Sequence, residues 1–310
     1  MGLLVEGTWH DKWYDTKSTD GKFERQASRF RSPISSDGDF APESGRYHLY
    51  VSLACPWAHR TLIMRALKGL SAHLSVSIVN PKMREHGWTF LPYPDSTGDM
   101  LYGHQYLYQL YQQVNHSITS RVTVPVLWDT RTRQIVNNES ADIIRFFNSA
   151  FNQITGNSDD YYPEVLRAEI DAVNDWIYHD INNGVYKAGF ATEQRAYEQA
   201  VKTLFLALER VEAILQTQSY LVGNRFTEAD IRLFTTLIRF DPVYHGHFKC
   251  NVKQIKDYPA TYEYMKRIYR MPGIAPTVNM DHIKTHYYFS HTMINPTGVV
   301  PVGPALALWE

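Results

Sequence analysis

Cys55, Pro56, Trp57 and Ala58 carry the sharpest chemical signal in the sequence, at the point where an apolar alternation through Tyr47, Leu49 and Val51 gives way to helical spacing. A thiol leaving a strand at a helix N-terminus faces unpaired N–H groups and the positive end of the helix dipole, which stabilise a thiolate nucleophile. Pro56 suits the first helical turn, where a missing N–H costs nothing. A dithiol oxidoreductase of the C-x-x-C type would place its resolving thiol at position 58. With Ala58 there, a mixed disulfide on Cys55 must wait for a second small thiol from solution. A free cysteine can also serve as an inert core residue. The coincidence of strand, Cys-Pro and helix favours the reactive use.

The elements that would hold this thiol follow in order. After Pro56, Ile63, Ala66, Leu67 and Leu70 recur at helical spacing, with Gly69 as the C-cap. Leu74, Val76 and Ile78 alternate as a second strand, and a helical crossover makes the two strands parallel neighbours. A long aromatic insert from Asn80 to Ser120, helical over 104–113, is expected to wall the site. Val122 to Trp128 and Gln134 to Val136 then read as strands, followed by a helix through Ile143, Ile144 and Phe147. Pro125 inside a strand pattern predicts a cis Val124-Pro125 bond. The order βαβ then ββα, with a thiol at the first helix, resembles the thioredoxin-like fold.

The flanks define the remaining organisation. Residues 1–45 hold Trp9, Trp13, Tyr14, Phe23 and Phe30 without periodicity and read as an extended aromatic arm lying against the body. Residues 46–150 form the thioredoxin-like domain and 151–160 a polar linker. Residues 161–290 form an all-α helical bundle: Leu166, Ile170, Val173, Ile177 and Ile181 share one face, as do Tyr197, Val201, Leu204, Leu208, Val211 and Leu215. Thr227 with Asp230 opens one helix as a capping box, and Pro259 opens another. Residues 291–310 are a C-terminal tail.

Composition narrows the function. With 31 basic and 32 acidic residues and no basic run, the chain has no electrostatic footprint for nucleic acid. Two cysteines among 310 residues cannot form a disulfide framework, which points to a reducing compartment and a cytoplasmic protein. No membrane span or secretory leader is expected from the N-terminus. His245, His247 and Cys250 form H-x-H-x-x-C but lack a second ligand pair, so a packed turn and no metal is expected.

The segments CPWAHR, VTVPVLWD, NNESADIIR, NNGVYKAGF, RFDPVYHGHFKCN and HYYFSHTMINPTGVVPVGP together resemble the Xi-class glutathione transferases, the glutathionyl-hydroquinone reductases. The resemblance spans nearly the whole chain. It implies a homodimer of glutathione transferase architecture that uses glutathione as co-substrate and acts on glutathionyl-hydroquinones. Cys55 would attack the glutathionyl sulfur, expelling the hydroquinone, and a second glutathione would release oxidised glutathione. The Val124 backbone would pair with the cysteinyl part of glutathione, while Glu139 and Ser140, opening a helix, would receive its γ-glutamyl end. Trp88 and Arg121 are further glutathione contacts by family position. Tyr186, Tyr244 and Tyr287 would converge on the quinol oxygen as acid–base groups. No role is implied for His286, His291 or Cys250. The same Cys55 would also serve a broader thiol transferase or dehydroascorbate reductase, whereas a non-catalytic scaffold would have no use for an activated thiol.

Overall fold

The computed structural model describes residues 2–308. The chain divides into two compact units, one comprising Met1–Trp13, Ala27–Asp159 and Pro276–Ser290, the other Tyr14–Gln26, Asp160–Ala275 and His291–Glu310.

In the first unit, β1 (Leu3–Val5) and β2 (Thr8–His10) form a hairpin inside the segment read as an unpatterned arm. Strands of three residues are too short to show an alternation. Their two-residue turn is made by Glu6 and Gly7, both at positive φ, the twist that antiparallel strands favour. The four-stranded sheet that follows is built from β3 (Tyr47–Val51), β4 (Ser75–Ile78), β6 (Val126–Asp129) and β7 (Gln134–Asn137), in the order β4-β3-β6-β7. Helix α1 (Pro56–Leu67) makes the crossover that leaves β3 parallel to β4, while β6 runs antiparallel to both β3 and β7. Lys68 caps α1, and Gly69 at φ 68 turns the chain away.

The insert after β4 is tied down by backbone pairs, Asn80 N–H to Thr89 O at 2.8 Å and Phe90 N–H to Gln105 O at 2.8 Å, before α2 (Leu107–Val114). The strand expected from Val122 to Trp128 begins later, at Val126, and runs to Asp129 (β6). Ser120–Arg121 (β5) pairs with β1, and only from Val126 does the chain join the main sheet. Between them lies the cis Val124-Pro125 bond, at a residue with no N–H to give a ladder. Helix α3 (Ser140–Ser149) packs on α1. The polar linker contains a short helix, α4 (Asn152–Thr155), preceded by a buried Phe151 whose ring meets Tyr47 and Phe147.

The second unit is helical. The run read as a single helix breaks: α5 (Arg167–Trp176) passes into a π-helical turn, Ile177–Asn182, and α6 (Gly184–Gly189) follows. Next come α7 (Gln194–Leu215), α8 (Glu228–Arg239) with a second π-helical turn at Phe240–Tyr244, and α9 (Pro259–Tyr269). The Thr227 and Asp230 capping box is present. Asp230 also accepts from Tyr264 Oη at 2.8 Å and Leu221 N at 3.0 Å. Burial pushes its carboxyl up to about 6 despite these bonds.

Helix α10 (Met280–Ser290), expected in the helical domain, groups instead with the first unit. Its side chains explain why. His282 Nε2 lies 2.6 Å from Pro94 O, Asp281 accepts from Tyr93 Oη at 2.9 Å, and Ser290 Oγ accepts from Met83 N at 3.0 Å. Helical periodicity shows that α10 is a helix but not that its polar face docks on the 80–95 insert.

Candidate active site

Cys55 is the N-cap of α1, in extended conformation (φ −74°, ψ 122°), with Pro56 opening the helix. The turn from β3 is fixed by Ser52, whose Oγ accepts from Ala54 N at 3.2 Å and whose carbonyl accepts from Cys55 N at 3.2 Å. No acidic side chain occupies the first turn of α1, so nothing there offsets the positive end of the helix. The Cys55 thiol is not in a disulfide and is 9% exposed; it donates to the Val124 carbonyl at 3.6 Å. Ala58, one turn on, is wholly buried. Helix geometry and the bend at Pro125 thus bring Cys55 and Val124 together.

Glu139 and Ser140 meet the description of a helix opening. Glu139 is the N-cap of α3, its carboxylate accepting from Ala141 N at 3.1 Å and from Ser28 Oγ at 2.9 Å. Ser140 Oγ accepts from Arg60 Nη1 at 3.4 Å. Arg60 is 1% exposed and stacks over the Trp57 ring at 4.5 Å, placing a cation beside the α3 N-terminus. The sequence reading gave Arg60 no role, although its position five residues after Cys55 on the inner face of α1 was a usable signal. Trp88 is buried, its ring stacked on His286 with centroids 4.6 Å apart. His286 Nδ1 is bonded to Pro81 O at 3.0 Å, which fixes the ring against that indole. The Arg121 guanidinium donates to the carbonyls of Lys12 and Trp13.

Tyr186 and Tyr244 lie in the second unit, their ring centroids 6.1 Å apart. Phe248 stacks on Tyr244 at 5.4 Å and meets Tyr186 at 5.5 Å, and Phe190 and Phe23 complete the cluster. Gly189 lets Phe248 approach: a Cβ there would fall 2.2 Å from the Phe248 ring. Phe190, Phe248 and Arg25, whose guanidinium lies over the Tyr186 ring, were not singled out from the sequence. Tyr287 is on α10 in the first unit, edge-on to His286 at 5.3 Å.

The H-x-H-x-x-C segment is a packed turn. His247 Nε2 is 3.1 Å from His291 Nδ1, and burial pushes His247 down to about 4. Burial also pushes the Cys250 thiol well up. Among the described residues, no three His, Cys, Asp or Glu side chains form a group able to hold a metal ion.

Residues 54–150 match the family model of the glutathione S-transferase N-terminal domain, and residues 194–267 that of the C-terminal domain. The glutathionyl-hydroquinone reductase YqjG of Escherichia coli (strain K12) is 58% identical over 98% of this chain and 95% of its own length. The chain belongs to the Xi-class glutathione transferases, the glutathionyl-hydroquinone reductases. The reductase PcpF of Sphingobium chlorophenolicum is 53% identical over 99% of this chain and 98% of its own. The glutathione-bound structure of YqjG superposes with a TM-score of 0.93 at 52% identity, covering 100% of this chain and 97% of that one. A glutathione-S-transferase Xi from Phanerochaete chrysosporium gives 0.90 at 53%, covering 91% and 97%. In this Xi-class chain, the N-terminal match contains Cys55, Trp88, Arg121, Val124, Glu139 and Ser140, and the C-terminal match contains Tyr244. Tyr186 and Tyr287 lie outside both matches.

Proposed function

We propose that this protein reduces glutathionyl-hydroquinones to hydroquinones, with glutathione as co-substrate. The observation that carries the reading is a helix-capping thiol, Cys55, with a buried Ala58 where a resolving cysteine would stand, in a chain related over its whole length to such reductases. The Cys55 thiolate attacks the glutathionyl sulfur. An S–S bond forms, the aryl C–S bond breaks, and the electron pair returns to the ring carbon, which takes a proton. Carbon is reduced and sulfur oxidised. A second glutathione thiolate then attacks the mixed disulfide, giving oxidised glutathione and regenerating Cys55. The sum is one glutathionyl-hydroquinone plus one glutathione giving one hydroquinone plus one oxidised glutathione.

Glutathione would lie with its cysteinyl backbone on Val124 and its γ-glutamyl end at the α3 N-terminus. There Ser140 and the N–H groups take the carboxylate, and Glu139 takes the ammonium. Trp88 and Arg121 would flank it by family position. Tyr186, Tyr244 and Tyr287 would bond the quinol oxygen and promote the keto tautomer from which sulfur can be pulled. A reducing compartment such as the cytoplasm suits two cysteines that are not disulfide-bonded. No helix among the described residues is long and apolar enough to cross a membrane. A homodimer is the proposed assembly, to be checked by light scattering.

The test supplies a glutathionyl-hydroquinone and glutathione, following hydroquinone and oxidised glutathione together. One of each per turnover is expected, with Cys55 carrying one glutathione when the second thiol is withheld. A relative at 50% identity and two at 40% and 37%, all named glutathione S-transferase omega-like, support a second reading, that of a general thiol transferase. Faster turnover of a simple glutathione mixed disulfide or of dehydroascorbate than of the quinol would favour it.

A further inference from the structure

Arg25 belongs to the segment Tyr14–Gln26, which packs within the helical unit although it precedes the sheet in sequence. Its guanidinium carbon lies 4.9 Å from the centroid of the Tyr186 ring and 5.4 Å from that of Phe23. These distances are within the range where a cation is attracted to a π face. Its Nε donates to Asn183 Oδ1 at 2.8 Å.

Asn183 is itself fixed. Its carbonyl accepts from Lys187 N at 2.8 Å in the first turn of α6, and the adjacent Asn182 donates to Arg232 O and to Thr236 Oγ1. The arm is anchored on the other side by Thr192 N–H to Gly21 O at 3.1 Å and by the buried Phe23, whose ring meets Phe190 at 5.4 Å. The guanidinium is therefore tied through Nε to the turn that delivers Tyr186 and sits over the Tyr186 ring.

We propose that Arg25 is a positioning residue for Tyr186. It fixes the plane of the ring, and its positive charge over the π face draws electron density from the oxygen, leaving the hydroxyl a stronger donor to a quinol oxygen. The inference rests on the proposed role of Tyr186. A planar, permanently charged group with a directional Nε–H suits both tasks; a lysine ammonium keeps the charge but loses the planar fork and the Nε–H. The arm is then a working part of the quinol site.

The test measures kcat and KM for Arg25→Gln, Arg25→Lys, Tyr186→Phe and the Arg25→Gln/Tyr186→Phe pair, with a glutathionyl-hydroquinone and with a simple glutathione mixed disulfide. Arg25→Gln should lower kcat for the quinol relative to the simple disulfide by about 3- to 30-fold, with little change in KM. Arg25→Lys should recover part of that loss, and Arg25→Gln should add nothing to Tyr186→Phe. Equal loss on both substrates, or a loss that multiplies with that of Tyr186→Phe, overturns the inference. If Arg25→Gln fails to fold, Arg25→Lys decides: loss confined to the quinol and to chains with Tyr186 supports it, and loss on both substrates overturns it. Full quinol turnover by Tyr186→Phe would instead overturn the reading of Tyr186 itself.

Discussion

The surroundings of Cys55 and those of Tyr186 are built by different rules. The backbone at Cys55 is set by one continuous stretch, β3, a Ser52 turn and the start of α1, and its thiol bonds the backbone of Val124. Tyr186 takes its environment from side chains of separate segments, with Phe23 and Arg25 from the arm, Phe190 from the end of α6, and Tyr244 and Phe248 from the second π-helical turn and beyond. Chemistry that depends on a helix end is local, because the backbone supplies the field. Chemistry that depends on oriented rings is non-local and tolerates little shift in any contributor.

Four substitutions and one change of condition would break or sharpen that contrast. The largest effect is expected for Cys55→Ser, which should bring sulfur transfer to background on every substrate, since an alcohol here is scarcely ionised and forms no disulfide. Retained reductase activity would end the assignment of the thiol.

Tyr186→Phe and Tyr287→Phe should each slow quinol turnover by roughly 10- to 150-fold, the loss of a catalytic hydrogen bond of about 1.5 to 3 kcal/mol. The ratio of quinol to simple mixed-disulfide turnover is the quantity to measure. An unchanged ratio in both variants would mean that the rings serve the fold rather than the quinol.

Gly189→Ala should act on the same ratio more weakly. The added methyl must displace Phe248, and with it the stacking on Tyr244, at a cost of about 1 to 3 kcal/mol in stability. A thermal melt together with the two assays would show both changes. A chain with wild-type stability and ratio would show that Phe248 yields freely.

Acidification should separate the two units. Burial pushes His48, whose ring spans Ser75 Oγ and Ser77 Oγ, down to about 4. The unfolded chain then binds its proton first, so stability falls as the pH drops from about 6.5 to 4, by about 3 kcal/mol in the first unit. In the second unit His247 is lowered likewise, but Asp230 is raised to about 6 and Asp241 is also raised. A raised carboxyl gains stability as the pH falls over much the same window, so the contributions oppose each other. Protection factors from hydrogen exchange at pH 6.5 and 4.5 should drop more for β3 and β4 than for α8. Equal losses would contradict the assignment.

The sequence shows one of these regions better than the other for the same physical reason. Alternation, Cys-Pro and a proline inside an apolar run mark β3, α1 and the cis bond directly, and Thr227 with Asp230 marks α8, because each is a short-range backbone requirement. The hairpin of β1 and β2 escaped because three-residue strands carry no period, and the break at Ile177 escaped because a π-helical turn keeps much the same apolar residues inside. Arg25, Phe190 and Phe248 escaped because no local pattern encodes a contact such as that from Arg25 to Asn183, 158 residues apart. The unit to which α10 belongs depended on polar partners in the insert, which periodicity does not record.

The divided arm also sets a timetable for synthesis. Arg121 reaches Lys12 across 109 residues and Arg25 reaches Asn183 across 158. At a translation rate of roughly 5 to 20 residues per second, Arg25 emerges about 8 to 30 seconds before its partner exists. During that interval Tyr14 and Phe23 await the helical unit against which they pack. Asp15, Lys17 and Asp20 lie between them, charges of the kind that oppose association of an apolar stretch. The arm's lack of periodicity is thus compatible with its docking only after residues 183–192 have been made.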